Sequence, residues 1–248
     1  AIACAKRGMN VVGYEINPEI CTRLKDQHKA HFFEPGLDHL IAECVKKGTF
    51  VVADRLTPAK KPGTYIITVG TPLGTAGKTQ LGAISSVSEE IASNCVDGST
   101  IIARSTMKIG TTASVIQPIF ERHRKTVHLA VCPERTVEGS ALEELHEIPQ
   151  IIGSPDPQAQ HNCQKLFSEI SPASSIVNSW EGAEAIKLMD NTFRDMQFGI
   201  ANEFSLLIEK IGEDAKRLFE IANTGYKRTN LAKPGLVGGP CLEKDPHI

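Results

Sequence analysis

The chain has 248 residues, with 27 Lys and Arg against 29 Asp and Glu, which gives a net charge of −2. This balance argues against a nucleic-acid partner, and a hydrophobic fraction of 41% with 23% charged residues excludes disordered and collagen-like chains. No apolar run approaches the roughly 20 residues of a membrane span, and no secretory signal is visible, so no membrane partner is expected.

Seven cysteines are scattered along the chain without any CxxC pair, at Cys4, Cys21, Cys44, Cys95, Cys132, Cys163 and Cys241. Zinc-knuckle and thioredoxin-like sites are therefore not expected, and we predict no metal centre. Scattered thiols in a chain of this length favour a reducing compartment over a disulfide framework, so a cytoplasmic location is expected.

Helix-like and strand-like segments alternate over the first half of the chain. Residues 1–8 have the pattern of the last turns of a helix, with Gly8 as its C-cap. The predicted strands are residues 10–14, 50–52, 65–69, 100–104 and 127–131, and the predicted helices are residues 18–29, 35–45, 85–94 and 112–124. This alternation predicts βαβ units around a parallel sheet, an α/β fold of the Rossmann type. Because the sequence opens inside a helix and closes without a terminating element, we interpret it as an internal fragment.

Thr71, Thr106 and Glu134 follow three of the predicted strands. In open α/β sheets, ligands bind at the carboxyl ends of the strands, so a ligand site is predicted there. Polar residues are common in strand-to-helix loops in any case, and for a single loop the two interpretations have about equal weight.

An acidic residue, Glu15, follows the strand at residues 10–14. In a Rossmann fold, a carboxylate at the end of the second strand holds the ribose hydroxyls of NAD and repels the 2′-phosphate of NADP, so NAD is the predicted cofactor. The glycine-rich fingerprint that accompanies it should precede residue 1 and is not in this sequence. An exposed carboxylate in a turn is an equally common explanation for Glu15.

From Trp180 to about Gly212 runs an unbroken helical pattern, roughly 45 Å long. One apolar stripe along it is formed by Ile186, Met189, Phe193, Met196, Ile200, Phe204, Leu207 and Ile211. Other apolar side chains lie elsewhere around the helix, so it needs partners on more than one side. A subunit interface and a domain core explain this pattern equally well. A further helix is predicted at residues 214–223, and a Gly- and Pro-rich loop follows it.

Cys241 lies in this loop, directly after Gly238, Gly239 and a proline. The two glycines allow the backbone to approach a ligand closely. Lys244 could lower the pKa of the thiol, and Asp245 could orient a water or a second base. Although a lone cysteine is more often structural, this setting favours a nucleophile.

Two pairs of polar residues are spaced i, i+4. Lys187 and Asn191 share one face of the long helix, where a buried lysine could hold an anion, although a solvated polar stripe is the simpler explanation. Glu134 and Glu138 follow a strand and could supply a general base, although paired surface glutamates are frequent.

Taken in order, these motifs resemble the UDP-glucose/GDP-mannose dehydrogenase family. The matching segments are VVGYEINPE, FFEPGLDHLI, TVGTPL, ARSTMKIGTT, CPERTVEGSALEEL, IPQIIG, KLMDNTFRDMQFGIANEFSLL and PGLVGGPCLEKDP. The resemblance implies an NAD-dependent oxidation of the C6 alcohol of a UDP-sugar to the uronic acid, in two steps and with four electrons. It is closer to the members that oxidise UDP-N-acetylhexosamines, such as UDP-N-acetylmannosamine, whose products feed polysaccharide synthesis.

The resemblance also implies a role for each matching residue. Cys241 would attack the C6 aldehyde to give a thiohemiacetal and then a thioester, while Lys187 and Asn191 would stabilise the alkoxide. The residues that would hold, activate or deprotonate water are Asp245, Thr106 and Glu138, the last as the base of thioester hydrolysis. The cofactor-binding residues would be Glu15, Thr71, Thr106, Glu134 and Lys244. The substrate-binding residues would be Glu134, Lys187, Asn191, Asn230, Gly235 and Gly238.

The resemblance divides the chain into two domains. Residues 1–178 would form an NAD-binding Rossmann-like domain without its first strand and glycine loop, and residues 179–248 an all-helical central domain that forms a homodimer through the long helix. The C-terminal UDP-binding domain would follow Ile248, so we expect the isolated fragment to be inactive. Two alternatives stay open, a two-electron β-hydroxyacid-type dehydrogenase, which needs no cysteine, and an inactive dimerising fragment.

Overall fold

A computed structural model of the chain describes residues 1–74, 79–236 and 245–247. The chain divides into two compact units. The first unit comprises Ala1–Thr71 and Leu81–Glu184, and the second comprises Pro72–Gln80 and Ala185–Ile248.

Strands and helices alternate through the first unit. Its strands are β1 Val11–Tyr14, β2 Phe50–Ala53, β3 Thr64–Ile67, β4 Thr100–Ala103, β5 His128–Val131, β6 Gln150–Gly153 and β7 Ser174–Val177. The helices are α1 Ile2–Lys6, α2 Pro18–Lys25, α3 Leu37–Lys46, α4 Gly82–Asn94, α5 Gln117–Arg122, α6 Ala141–Glu144 and α7 Pro157–Phe167, and a π-helical turn, Thr112–Ile116, leads into α5. The predicted α/β fold of the Rossmann type is confirmed.

The sheet is in two pieces. β1 pairs with β2 in a two-stranded parallel sheet, and the other piece has the order β3-β4-β5-β6-β7. All five predicted strands have parallel neighbours, but β6 runs antiparallel to β5. In the part of the chain that the structure describes, β1 and β3 each have a strand on one side only.

Strand β4, which lies between β3 and β5, is buried along its whole length, as is typical of a parallel strand in a sheet that is covered on both faces. One cluster of the core joins Ile102 of β4 and Ala130 of β5 to Cys163 and Phe167 of α7. A second cluster packs Phe50 and Val52 of β2 against the helices beside β1. This rigid layer fixes the loops at the carboxyl ends of the strands.

Local sequence signals explain the helix ends that the structure shows. Asn17 caps α2 by accepting the N–H groups of Glu19 and Ile20. The C-cap of α1 is Arg7 and not the predicted Gly8, which follows it in the left-handed conformation with φ of 84°. α2 ends at Lys25 and not at the predicted residue 29, because the chain turns at His28, whose φ is 53°.

The elements between Arg135 and Trp180 were not predicted. β6 is one such element, a buried four-residue run, and β7 is another. α7 carries a recognisable start, since Asp156 accepts the N–H of Gln158 and a proline follows at the first helical position. That signal could have located the helix, and the apolar pair Ile151 and Ile152 is a signal that could have located β6.

The second unit is helical in its described part. It contains most of α8, Trp180–Lys210, which has 31 residues, and α9, Ala215–Asn223, which Asp214 caps. A short 3₁₀ turn, Asp245–His247, closes the described chain. The long helix predicted from residue 180 is confirmed. No helix among the described residues is apolar over a stretch long enough to cross a bilayer.

Candidate functional site

The loops after β3 and β4 are joined by hydrogen bonds. The Thr71 hydroxyl, in a residue only 3% exposed, donates to the Thr106 carbonyl at 2.5 Å, and the Ser105 hydroxyl donates to the Val69 carbonyl at 2.7 Å. Parallel strands bring both loops to one edge of the sheet. The structure therefore places two of the predicted site residues, Thr71 and Thr106, side by side.

A buried arginine, Arg104, ends β4 and holds Glu134. Its Nη2 donates to Glu134 Oε2 at 2.5 Å and its Nη1 to Gln150 Oε1 at 3.0 Å, while the guanidinium lies 5.1 Å from the centre of the Phe167 ring. Sequence reasoning missed Arg104, although a charged residue directly after a buried strand is a signal that could have indicated it.

The charge of Arg104 decides the protonation of Glu134. Burial favours the neutral carboxyl, but the Arg104 guanidinium, by its charge and its hydrogen bond, and the N–H of Thr136 outweigh burial and lower the pKa of Glu134 to about 2. Glu134 is therefore a carboxylate at neutral pH and accepts hydrogen bonds but donates none. Such a group suits the binding of hydroxyl or amide donors on a cofactor or substrate.

Glu15 lies at the carboxyl end of β1. Its backbone N–H donates to the Ala53 carbonyl at 3.0 Å, and its Oε1 accepts the N–H of Asn17 at 2.8 Å. The side chain is half-exposed, so its oxygens can accept hydrogen bonds from ribose hydroxyls. The position and the carboxylate of Glu15 therefore fit the ribose in the adenosine half of NAD.

One face of α8 carries buried polar side chains. Glu184, Lys187 and Asn191 are 2%, 8% and 4% exposed, and at 100° per residue they lie opposite the apolar stripe. The interpretation of Lys187 and Asn191 as a solvated stripe is wrong, because both are withdrawn from water. Burying polar and charged side chains costs free energy unless they form hydrogen bonds or ion pairs. This face of α8 is therefore a candidate functional site.

Asn191 links α8 to the end of the described chain. Its Nδ2 donates to Asp245 Oδ2 at 2.5 Å, and Asp245 is 1% exposed. The predicted catalytic residues Asn191 and Asp245 are thus in contact, and Asn191 lies one helical turn from Lys187. Asp245 follows Cys241 by four residues in the sequence.

Asn202, which sequence reasoning missed, holds the loop that precedes the cysteine segment. Its Nδ2 donates to the Gly235 carbonyl at 2.9 Å and its Oδ1 accepts the Gly235 N–H at 2.8 Å. Gly235 and Asn230 are both exposed. An asparagine in a largely apolar helix is a signal that could have indicated this clamp.

The other predicted site residues lie in exposed loops or beyond the described chain. Glu138 is exposed, in the loop that connects β5 to α6. Gly238, Cys241 and Lys244 lie outside the described residues. Within the described ranges, no group of three or more His, Cys, Asp or Glu side chains is arranged to hold a metal ion.

The sheet topology, the carboxylate after β1 and the polar loops at the strand ends define a dinucleotide-binding α/β protein. Residues 1–171 match the NAD binding domain of the UDP-glucose/GDP-mannose dehydrogenase family, and residues 181–248 match the central domain of the same family. The chain belongs to this family. The resemblance drawn from the motifs is confirmed, as is NAD as the cofactor.

Relatives of this chain are similar along its whole length. A UDP-N-acetyl-D-mannosamine dehydrogenase of Pyrococcus horikoshii is 32% identical over 253 residues, covering 100% of this chain and 60% of that protein. The solved structure of the UDP-D-ManNAc dehydrogenase from that organism matches with a TM-score of 0.92, at the same identity and coverage.

Two further matches carry other substrate names. An NDP-N-acetyl-D-galactosaminuronic acid dehydrogenase of Ralstonia nicotianae is 30% identical, covering 99% of this chain and 60% of that protein. The solved structure of a GDP-mannose dehydrogenase from Pseudomonas aeruginosa is 25% identical with a TM-score of 0.83, covering 99% of this chain and 59% of that one. This chain spans about 60% of the length of these relatives.

Proposed function

We propose that the protein carrying this chain is an NAD-dependent nucleotide-sugar 6-dehydrogenase that oxidises the C6 alcohol of a UDP-sugar to the uronic acid. The observation that carries the proposal is the buried polar face of α8, where Lys187 and Asn191 lie one turn apart and Asn191 binds Asp245. A buried cation one helical turn from a buried amide, which in turn binds a buried carboxylate, suits a reaction that develops negative charge on oxygen. The family match supports the same reaction class.

Lys187 and Asn191 are proposed to stabilise the oxyanion that forms at C6. Both side chains present N–H donors, and a low local dielectric strengthens their attraction for a negative oxygen. Binding Asp245 fixes the Asn191 amide before substrate arrives, so little reorganisation is needed in the transition state. The backbone of α8 keeps the two donors one turn apart.

Cys241 is proposed to carry the sugar between the two oxidations. Its sulfur adds to the C6 aldehyde and the aldehyde oxygen takes up the thiol proton, which gives a thiohemiacetal. Loss of a second hydride and the hydroxyl proton leaves a thioester. Water then attacks the thioester carbon, the C–S bond breaks, and the products are a carboxylate and the free thiol. When bound, NAD⁺ accepts the hydride in each oxidation, so two NADH form per sugar.

Glu138 is proposed as the base that takes the proton of the attacking water, and Thr106 and Asp245 as the groups that orient it. Glu15 and Thr71 are proposed to hold the cofactor together with Thr106, Glu134 and Lys244. The binding role of Glu134 is supported by its ionised carboxyl group beside Arg104. A carboxylate accepts hydrogen bonds, and Glu134 stays a carboxylate at neutral pH.

Asn230, Gly235 and Gly238 are proposed to contact the substrate. In the described part of this loop, the two hydrogen bonds from Asn202 hold Gly235 in place, which supports a defined backbone at that point. Lys187, Asn191 and Glu134 complete the proposed substrate contacts.

UDP-N-acetylmannosamine is the substrate that we propose to test first. The proposal is supported by the motif resemblance and by the names of relatives that are 32% identical to this chain. An enzyme acting on it would make a uronic acid suited to the synthesis of a surface polysaccharide. The names of other relatives make the N-acetylgalactosamine and GDP-mannose compounds the necessary comparison substrates.

The decisive assay counts NADH per sugar with the complete gene product and a panel of UDP-sugars. We expect two NADH per sugar oxidised, and loss or arrest of the reaction in Cys241→Ser. Lys187→Met should lower kcat by about 10²-fold or more, by analogy with the loss of one oxyanion donor. Lys210→Met, an exposed lysine at the end of the same helix, is the matched control and should be unaffected.

If one NADH forms per sugar and Cys241→Ser is as active as the parent, the protein is instead a two-electron β-hydroxyacid-type dehydrogenase. For residues 1–248 alone we propose no turnover, because the chain spans about 60% of the length of its relatives.

The division into domains at residues 178 and 179 is supported by the two family matches, the first of which ends at residue 171 and the second of which begins at residue 181. A cytoplasmic location is supported by the six described cysteines, which are all free thiols and buried.

A homodimer through α8 is proposed as the assembly. Seven of the eight side chains of the apolar stripe are exposed in the single chain, with exposed fractions from 44% at Phe204 to 69% at Ile211, and the eighth, Ile186, is half-buried. A domain core among the described residues therefore does not account for it, and a second copy would cover it. We expect Phe193→Glu to convert a dimer to a monomer in sedimentation of the full-length protein, and Arg194→Glu, on another face, to leave it dimeric.

A further inference from the structure

A buried glutamate just before α3, Glu34, binds a loop that is more than a hundred residues further along the chain. Glu34 is 8% exposed, and its two carboxylate oxygens accept different backbone N–H groups. Oε2 accepts the N–H of Gly139 at 2.8 Å, and Oε1 accepts the N–H of Leu142 at 2.9 Å. These two bonds fix the loop that connects β5 to α6.

The local sequence holds Glu34 in place for this contact. Pro35 and Gly36 follow it, and Gly36 adopts a left-handed φ of 76° that starts α3. The Glu34 carbonyl accepts the N–H of Leu37 at 3.1 Å, so the residue is part of the turn into the helix. Leu37 is buried in a cluster against which Leu142 packs. Apolar contact and carboxylate bonds therefore join the same two segments.

The loop requires such an acceptor from outside. α6 has only four residues, and its N-cap, Ser140, makes no side-chain capping bond. The N–H of Leu142 in its first turn would be an orphan donor without Glu34. Gly139 has φ of 92°, a conformation that only glycine adopts without strain, so the turn depends on contacts that hold it. Glu34 thus does the work of a missing helix cap.

Glu138 lies between the backbone groups that Glu34 binds and those that Glu134 and Glu144 bind. On its other side, Glu134 Oε1 accepts the N–H groups of Arg135 and Thr136, and Glu144 Oε2 accepts the N–H of Val137 at 2.7 Å. Glu138 itself is exposed, so its side chain is available to water while its backbone is held on both sides. The backbone position of Glu138 is therefore fixed by the hydrogen bonds of its two neighbours, Val137 and Gly139.

We propose that Glu34 is the positioning residue for Glu138, and that it acts on the hydrolysis of the covalent intermediate and not on the oxidations. This inference rests on the proposed function, in which Glu138 takes the proton of the attacking water. A base has to lie within hydrogen-bond reach of its proton, and a shift of about 1 Å can cost about 10²-fold in rate. Glu34 never touches the substrate in this scheme.

The substitution Glu34→Gln tests the carboxylate with little change in volume. An amide has one acceptor oxygen, so one of the two N–H groups would face an NH₂ donor and lose its bond. We expect hydrolysis to slow by about 10- to 100-fold while the oxidations keep their rates. The readout is a burst of two NADH per active site followed by a slow steady state, with a sugar adduct accumulating on the protein by mass spectrometry.

Two controls separate positioning from a general loss of structure. Glu43→Gln changes a half-exposed glutamate on the neighbouring helix α3, where it pairs with Lys47, and should leave burst and steady state unchanged. Gly139→Ala strains the turn without altering Glu34 and should reproduce the burst and the adduct. Hydrogen exchange of the Gly139 and Leu142 amides in Glu34→Gln should rise, whether or not the enzyme turns over.

The outcomes distinguish the two proposals. One NADH per sugar in the parent protein, with no adduct in any variant, would overturn the proposed function and with it the role given to Glu34. Two NADH per sugar in the parent, with Glu34→Gln slowing burst and steady state equally or slowing neither, would overturn this inference alone. Unchanged amide exchange at Gly139 and Leu142 would also overturn it.

Discussion

A second buried carboxylate, Glu184 on α8, anchors the loop that follows β4. Glu184 is 2% exposed, and its Oε2 accepts the N–H of Gly110 at 2.6 Å. Its Oε1 accepts both the N–H and the hydroxyl of Thr112, at 2.9 and 2.6 Å. The two amides lie at the start of the π-helical turn that leads into α5, where helix donors have no partner of their own. We predict that Glu184→Ala destabilises the first unit severely.

The magnitude follows from the donors that lose their acceptor. Each buried N–H left without a partner costs about 1 to 3 kcal/mol, so two amides cost about 2 to 6 kcal/mol, and we expect about 4. The Thr112 hydroxyl adds less, because it can rotate toward another acceptor. Glu184→Gln keeps one oxygen and should cost about 2 kcal/mol, since its NH₂ would face one of the amides.

Urea unfolding of the parent and the two variants measures these differences. Glu209→Gln and Glu209→Ala, at an exposed glutamate on the same helix, are the matched controls and should change the free energy of unfolding by less than about 0.5 kcal/mol. Hydrogen exchange should locate the effect at the amides of Gly110 and Thr112. Equal unfolding free energies for Glu184→Ala and Glu209→Ala, with unchanged exchange at those amides, would refute the reasoning.

Three further predictions concern stability. Because the pKa of Glu134 is lowered from 4.5 to about 2 in the folded protein, its stabilising contribution is complete above about pH 4.5 and is lost as the pH falls toward 2. At neutral pH, the free energy of unfolding of Glu134→Gln should therefore be lower than that of the parent by about 1 kcal/mol. This value is discounted because the Glu134 side chain, which pairs with Arg104, is 45% exposed. When unfolding is measured at decreasing pH, the difference between the two proteins should vanish near pH 2. Gly153→Ala should lower the urea midpoint strongly, by about 3 kcal/mol in free energy, since its Cβ would lie 2.4 Å from that of Ala183; an unchanged midpoint would contradict the packing. Gly199→Ala, in the middle of α8 with open space around it, should raise the free energy of unfolding by about 0.5 to 1 kcal/mol, and a decrease in the same measurement would count against a simple helix-propensity effect.

The positions of the first five strands and of the long helix were predictable because they depend on neighbours in sequence. Short apolar runs such as the one at residues 100–104 bury themselves wherever helices cover both faces of a sheet. Asn17 with Pro18, and Gly8 at the end of α1, mark helix ends through bonds made within a few residues. The alternation of these elements was enough to predict a Rossmann-type sheet.

The antiparallel strand β6 and the exposure of the apolar stripe were not predictable in this way. The direction of β6 depends on the strand beside it, β5, to which it runs antiparallel, and no spacing of residues within β6 encodes that direction. For the stripe, the spacing of residues along α8 fixes a common face but not what covers that face. Only the fold shows that the buried face is the polar one, with Lys187 and Asn191 on it.

The sequence by itself determined the family and the cofactor class, because these depend on residue types at fixed spacings along one chain. The tertiary structure decided which carboxylates hold the loops together. Glu34 meets Gly139 across 105 residues, Glu184 meets Gly110 across 74, and Arg104 meets Glu134 across 30. The physical reason is that a buried polar atom takes whichever partner the packed fold brings within about 3 Å, and no local pattern encodes a partner so far away in the chain.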